Sequence, residues 1–494
     1  MKSYRQIFRS SAVIGSASLI NILVGIIKVK VLALLLGPAG IAIMGLYQST
    51  MATATTLFGC GLEGSGVRQV AAAQNDKHLL ALIRRSLEWA SVLLGAAGML
   101  LLWLLRESLS QWVFHDTTHA SQIGWLGLGV FLSILVSAQT ALLQGLRRID
   151  DVARVNVLGA VLGAAAGVAL IYLLGESGLH WFVIVAPAAS LVFSFWYAAR
   201  VPRHRLAYDW RALRRQWQVL FSLGIPLMAA GLLTLITQLV VRGWVIRDLG
   251  LDAGGYFQAA WSISMTYLGF VLAAMAVDYL PRLTGVMPDY ERAKTLVNEQ
   301  TEMALLMAAP VLLAMMTLAP WLIQLLYAAS FAPAAEIFRW HVMGDIFKVI
   351  GWPMGFIVLA MGRGDLFIAT QLNWNVIYLL SLWLGMKSMG LLGVGIAFLV
   401  AYIFQVALVR VVVGKLIGFS SEWKNLRMFA AMVGASGAVL LLDEYEPGYV
   451  VPIGLAMTAL SASYSIWRLN RLLDLHDVMK RYGWRRDSKP GNSE

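Results

Sequence analysis

The sequence predicts an all-α integral membrane protein of about 14 transmembrane helices, built as two six-helix lobes (an internal repeat) followed by two C-terminal helices. Three observations carry this: the apolar composition, a succession of hydrophobic runs of helix length, and self-similarity with a period near half the chain.

Of the 494 residues, 59% are hydrophobic and only 13% are charged, and the mean hydropathy is +0.70. A soluble chain of this length needs far more polar surface around its core. Strand spans of a β-barrel would show short alternating segments, and none are visible in the sequence. A helix needs roughly 20 apolar residues to cross a hydrocarbon layer about 30 Å thick. The first apolar run, Ser10 to Leu36, is longer than a signal-peptide core and has no small-residue cleavage site, so it reads as a retained span. Cys60, the single cysteine, leaves no intrachain disulfide or multi-cysteine metal site. It is expected to be a small apolar helix residue.

In chain order the candidate spans are 10–36, 41–60, 86–105, 123–145, 152–174, 180–199, 219–246, 254–280, 303–327, 341–361, 366–387, 391–413, 427–442 and 449–467. Alternating their connections, with the span-edge residues Arg154, Lys387 and Arg427 counted to the adjoining connections, sorts the 39 Lys and Arg sharply: 30 fall on the side of the termini, four on the opposite side and five within spans. The four are Arg106, Arg247, Arg339 and Lys387. Cytoplasmic loops carry the Lys/Arg excess, so both termini are expected in the cytoplasm. The formal charge of +12 therefore reads as membrane topology, with no nucleic-acid partner expected. The basic segment 468–494 has two readings. Leu469, Leu472, Leu473, Leu475 and Val478 among its cations suit an amphipathic segment on an anionic leaflet, and a disordered basic tail is the other.

The repeat gives the architecture. Leu36-Gly37-Pro38-Ala39-Gly40 and Gly45-Leu46-Tyr47-Gln48 follow the first span, and Leu249-Gly250-Leu251-Asp252-Ala253 and Gly255-Tyr256-Phe257-Gln258 follow the seventh. Each copy runs on into a basic connection with Asn75-Asp76 or Pro288-Asp289. Span starts 86, 123, 152 and 180 are matched at 303, 341, 366 and 391. The expected divisions are an N-terminal six-helix lobe at 1–205, a C-terminal six-helix lobe at 206–418, two extra helices at 419–467 and a basic cytoplasmic tail at 468–494. Two such lobes suit alternating access by rocking.

At this level the chain resembles the multidrug/oligosaccharidyl-lipid/polysaccharide exporter superfamily, and within it the Wzx-type flippases of lipid-linked oligosaccharides, such as O-units and lipid III. Val29-Lys30 with Gly37-Pro38-Ala39-Gly40, Tyr279 to Leu283, and Phe338 to Val349 carry the resemblance. A glycine often precedes the lysine of the first segment in the family; Val29 stands there in this chain. The likeness covers roughly residues 5–415. It implies translocation of an undecaprenyl-pyrophosphate-linked oligosaccharide from the cytoplasmic to the periplasmic leaflet of a bacterial inner membrane. It also implies a surface-polysaccharide pathway, with a polymerase and a chain-length regulator as candidate partners.

Ionisable groups inside spans cost about 3 kcal/mol on insertion scales and are functional candidates by default. Lys28 and Lys30 lie in the first span, Arg242 in the seventh, and Asp345 and Lys348 in the tenth. Their cations suit a pyrophosphate, which arginine holds as a fork and lysine as a point charge. Lys28 and Lys30 are about 200° apart on a helix, so they are expected to face different surroundings. Asp345 and Lys348 share a helical face and read either as an internal ion pair or as a substrate or coupling-ion site. Asp278 is a coupling-ion candidate or an interfacial carboxylate. Gln48 is a candidate for sugar hydroxyls, as is Trp340 for stacking on a sugar ring.

No G-x-x-x-x-G-K-[ST] loop is present, so ATP hydrolysis is not expected. His115 and His119 have metal-pair spacing but no adjacent zinc-protease glutamate. No cofactor or metal is expected, and no outward connection is large enough for a catalytic domain, which argues against an enzyme such as a glycan polymerase. The competing transporter readings are a peptidoglycan lipid II flippase and a drug/cation antiporter. The antiporter predicts buried carboxylates, whereas this chain places mostly cations in its spans.

Overall fold

The computed structural model describes residues 2–202 and 210–473. Within them the chain is helical throughout: α1 (Lys2–Gly59), α2 (Leu62–Ala72), α3 (Lys77–Phe114), α4 (Ala120–Gly145), α5 (Ile149–Leu174), α6 (Leu179–Ala199), α7 (Trp210–Leu249), α8 (Leu251–Val286), α9 (Tyr290–Thr317), α10 (Ala319–Leu326), α11 (Ala334–Ala360), α12 (Gly364–Met389), α13 (Leu391–Ile417), α14 (Trp423–Tyr445) and α15 (Val450–Leu473). The expected lobe boundary at 205 and most of the basic tail lie outside the described residues.

This is a multi-pass membrane protein. Among the described residues 10 stretches are long and apolar enough to cross, or 12 when two bent helix pairs each count as one span. Two of the 10 stretches are 44 and 51 residues long. At about 1.5 Å per residue each is long enough for two crossings, and each contains a break, at Gly37 and at the 3-10 turn Gly175–Gly178. The expected 14 crossings are compatible with this pattern. Large apolar side chains such as Leu104, Leu173, Val192 and Leu460 face outward, as hydrocarbon contact permits.

The repeat is written into the backbone. Gly37 adopts φ 64° and ψ −165°, a region reached essentially by glycine alone. Pro38 then opens the second arm of α1, where its fixed φ suits a first helical position. Gly250, in the second copy of the motif, breaks the chain between α7 and α8 at φ 93°. The same correspondence returns at Arg147 and Gly362 (φ 56° and 70°) and at Gly175 and Gly390 (φ 60° and 58°). All three pairs are 213 to 215 residues apart. Asp76 and Asp289 also correspond, and each caps the helix that follows. Asp76 accepts from the amides of His78 and Leu79 at 2.9 and 3.0 Å, and Asp289 accepts from the Arg292 amide at 3.2 Å. Caps of this kind satisfy amides that have no partner within the helix.

The chain divides into two compact units. The first comprises Met1–Ser262, Pro320–Ile337 and Asn375–Ala397, and the second Ile263–Ala319, Phe338–Trp374 and Phe398–Glu494. In the first, Arg84 is buried on α3. Its guanidinium donates to the carbonyls of Val201 at 3.0 Å and Ala198 at 3.2 Å, at the end of α6. The Ala198 carbonyl also accepts from the Val201 amide at 3.1 Å, so the guanidinium adds a second donor there. Arg84→Ala is expected to destabilise the protein by about 2 kcal/mol through the lost charge-assisted bonds, read as an earlier melt in detergent.

In the second unit, the added helices α14 and α15 pack on α9. Glu302, 1% exposed, pairs with Lys424 Nζ at 2.8 Å and Arg468 Nε at 2.7 Å. Beside it, Asn298 accepts from the Glu422 amide at 2.8 Å and donates to the Ser420 carbonyl at 3.1 Å. At the other end of α14, Asp443 pairs with Arg339 of α11. Polar clasps at both ends thus fix α14.

Candidate functional site

Arg242 stands near the end of α7 and is 8% exposed. Its Nε donates to Gln258 Oε1 of α8 at 2.8 Å. Its Nη1 donates to the Gln238 carbonyl at 3.2 Å and reaches Gln238 Oε1 at 3.4 Å. Gln258 Nε2 passes the chain on to Ser262 Oγ at 3.0 Å. Gln258 also lies directly against Gly45 of α1, where any added Cβ would meet its side chain. Three residues earlier, Gly255 packs on the backbone carbonyl of Pro38. The two copies of the repeated motif therefore meet face to face here, and their glycines let the backbones approach. Tyr378 of α12, fully buried, stacks on Trp261 with ring centroids 6.3 Å apart.

The chemistry of this cluster lies in what Arg242 lacks. Among the described residues no carboxylate pairs with it, and its Nη2 group makes no hydrogen bond. A cation buried in a span with only neutral amide partners is costly. An entering anion would find two N–H donors already oriented and little competing water. Charge-assisted bonds of that kind contribute about 1.5–3 kcal/mol each.

The other expected site residues are distributed as follows. Lys28 is half-buried, with its ammonium 5.4 Å from the centre of the Phe182 ring. Lys30 donates to the Gln324 carbonyl at 2.9 Å, at the end of α10. The two lysines thus face different neighbours, as their angular separation requires. Gln48 is half-buried on α1, as is Trp340 on α11. In the second unit Asp345, 0% exposed, accepts from Ser264 Oγ at 2.5 Å. Its other oxygen has no hydrogen-bond partner. Lys348, one turn on, directs its ammonium to Met265 Sδ at 3.5 Å and over the Tyr402 ring at 5.8 Å. Their direct hydrogen-bond partners are thus other groups, while each lies in the electrostatic field of the other. Asp278 is exposed and paired with Arg282 at 3.1 Å. His119 is engaged by Gln122 at 2.8 Å and by the Tyr47 hydroxyl at 3.3 Å.

Two contributors were not singled out from the sequence. Gln258 holds Arg242, and its repeat position relative to Gln48 is the signal that would have found it. Arg339, expected in an outward connection, is 6% exposed. It donates to the Met316 carbonyl at 3.3 Å as well as pairing with Asp443. Its place in an apolar run, between Phe338 and Trp340, was the available hint.

Residues 31–336 match the family described as polysaccharide biosynthesis protein. The chain belongs to that family. It is 22% identical over 405 residues to the lipid III flippases of Escherichia coli (strain K12) and Shigella flexneri, which covers 80% of this chain and 95% of each relative. Its fold is similar to that of the lipid II flippase MurJ in an inward closed conformation, with a TM-score of 0.72 at 13% identity over 93% of this chain and 99% of that one. It is also similar to a multidrug resistance MATE family transporter of the MOP superfamily in its inward-facing conformation. There the TM-score is 0.65 at 18% identity, over 83% of this chain and 99% of that one. A transporter fold of the MurJ/MATE kind is thereby established for this member of the family.

Proposed function

We propose that this family member is a flippase that moves an undecaprenyl-pyrophosphate-linked oligosaccharide from the cytoplasmic to the periplasmic leaflet by alternating access. It is a transporter without catalytic chemistry of its own, sits in the bacterial inner membrane with both termini cytoplasmic, and serves surface-polysaccharide synthesis. The product is an O-antigen, common-antigen or exopolysaccharide glycan, and the periplasmic polymerase and chain-length regulator are its downstream partners. The observation that carries this reading is Arg242, a buried guanidinium without a carboxylate and with an uncommitted Nη2. An anionic headgroup satisfies such a cation, whereas a cationic drug is repelled by it. The likeness to lipid III flippases supports the same cargo.

In this reading Arg242 and Gln258 receive the pyrophosphate, and the meeting of Pro38 with Gly255 is the outer closure. Lys28 and Gln48 are the polar side chains offered to the glycan within the first unit, Lys30 latches α10, and in the second unit Trp340 offers a face for a sugar ring while Asp345 with Lys348 provides a polar site for substrate or coupling ion. Arg242→Ala is expected to reduce surface glycan roughly ten- to hundredfold, the equivalent of one or two lost charge-assisted bonds, with membrane insertion intact. Arg242→Lys keeps the charge without the fork and should recover only part of the export. Glycan export in a deletion strain carrying each variant is the measurement. Normal surface polysaccharide with Arg242→Ala at wild-type protein levels would remove the assignment.

A further inference from the structure

The added helices leave a space between them. α14 and α15 pack mainly on α9 rather than on each other. Between them runs a groove of about 600 Å³. Its walls are mainly apolar, with Leu305 and Leu313 from α9, Met432 from α14, and Met457 and Leu460 from α15, and with Ser461 and Ser465 further along α15. Ala309, Ala431 and Ala435 keep it open, because larger side chains there would close the gap. A cleft of this kind at membrane depth is filled by lipid chains, since neither water nor unpaired backbone is stable there.

One end of the groove is charged. Lys424 and Arg427 line it where α14 begins, and Arg468 lies close by through its bond to Glu302. Glu302 and Glu422 neutralise Lys424 and Arg468. Arg427 is the surplus. It is exposed, lies 6.0 Å from the Trp423 ring and pairs with no carboxylate among the described residues. Tryptophan marks the headgroup level of a bilayer, and basic pockets between helices at that level select anionic headgroups.

We infer that the groove between α14 and α15 is a binding site for an anionic glycerophospholipid, with its phosphate at Arg427 and an acyl chain along α9. The volume is that of a drug-sized ligand, enough for an acyl chain, whereas a polyisoprenoid chain is several times longer. The inference requires only that the protein lies in a membrane, and it is independent of the transported cargo.

The test uses the full-length protein, delipidated in detergent and then titrated with phosphatidylglycerol or phosphatidylcholine, with retained lipid counted by native mass spectrometry. The wild type is expected to retain one phosphatidylglycerol in preference to phosphatidylcholine. Arg427→Gln should lower that preference roughly fivefold and leave the lipid-free melting temperature unchanged. Ala431→Phe fills the groove and should lose retention of both lipids; should it fail to fold, Arg427→Gln decides. Equal retention of the two lipids by the wild type overturns the site, as does an unchanged preference in Arg427→Gln. Displacement of phosphatidylglycerol by equimolar undecaprenyl phosphate would also overturn it and give the groove to the cargo's lipid.

Discussion

Replacing Glu302 with alanine is expected to lower stability by about 3 kcal/mol and to open the first turn of α14 to trypsin at Lys424. Removing one partner of a buried ion pair leaves the others uncompensated, at about 3–5 kcal/mol. The lower end applies because the Lys424 and Arg468 side chains keep 36% and 28% of their exposure and still reach polar surroundings. The Asn298 bonds to the 418–422 connection confine the loosening to α14 and α15. Glu302→Gln keeps the shape and most hydrogen bonds and should sit between wild type and alanine. Thermal melts in detergent and limited proteolysis read the result. A Glu302→Ala protein that melts with the wild type would mean the carboxylate is not what holds the helices.

The second large effect is expected at Gly255. A Cβ at this position runs into the carbonyl of Pro38, and backbone on both sides leaves no flexible side chain to move aside. Overpacking costs about 1–3 kcal/mol. Gly255→Leu should therefore force α1 and α8 apart, abolishing glycan export while the protein still inserts and accumulates. Gly45→Ala presses on the Gln258 side chain instead. That side chain can move, and its movement breaks the bond to Arg242, so export should fall in part. Export assays beside membrane-fraction immunoblots separate loss of transport from loss of protein. Full export by Gly255→Leu would show that the contact plays no role in the cycle.

Much of the fold was legible because the bilayer imposes a simple rule on sequence. Apolar runs had to be near 20 residues, and the expected spans fall within the helices found, to within a residue at their ends, except 303–327, which is broken at Leu318 into α9 and α10. The repeat was legible for a different reason: glycines needed at positive φ and acidic caps are local requirements, so Gly37 and Gly250, or Asp76 and Asp289, persist where packing residues drift. The helical extensions outside the apolar runs were less legible. α2 and the first turns of α9 are amphipathic and carry Arg68, Glu291 and Lys294, so hydropathy alone reads them as connection. The site was half legible. Depth and charge pointed to Arg242, but nothing local to Gln258 or Asp443 declared a partner so distant in sequence. The partner of Lys30 was equally hidden: an intramembrane cation is costly unless satisfied, and here a carbonyl near the end of α10 accepts from it.

The kink at Gly37 decides how the protein can be instrumented. The two arms of α1 turn through one residue, with no loop between them and Pro38 already helical. An epitope, protease site or fluorescent insertion there has no slack to enter, and should be tolerated far less well than one at 115–118, between α3 and α4. Distance labels meant to follow opening and closing belong on either side of that glycine, where each reports one arm, rather than at the bend itself.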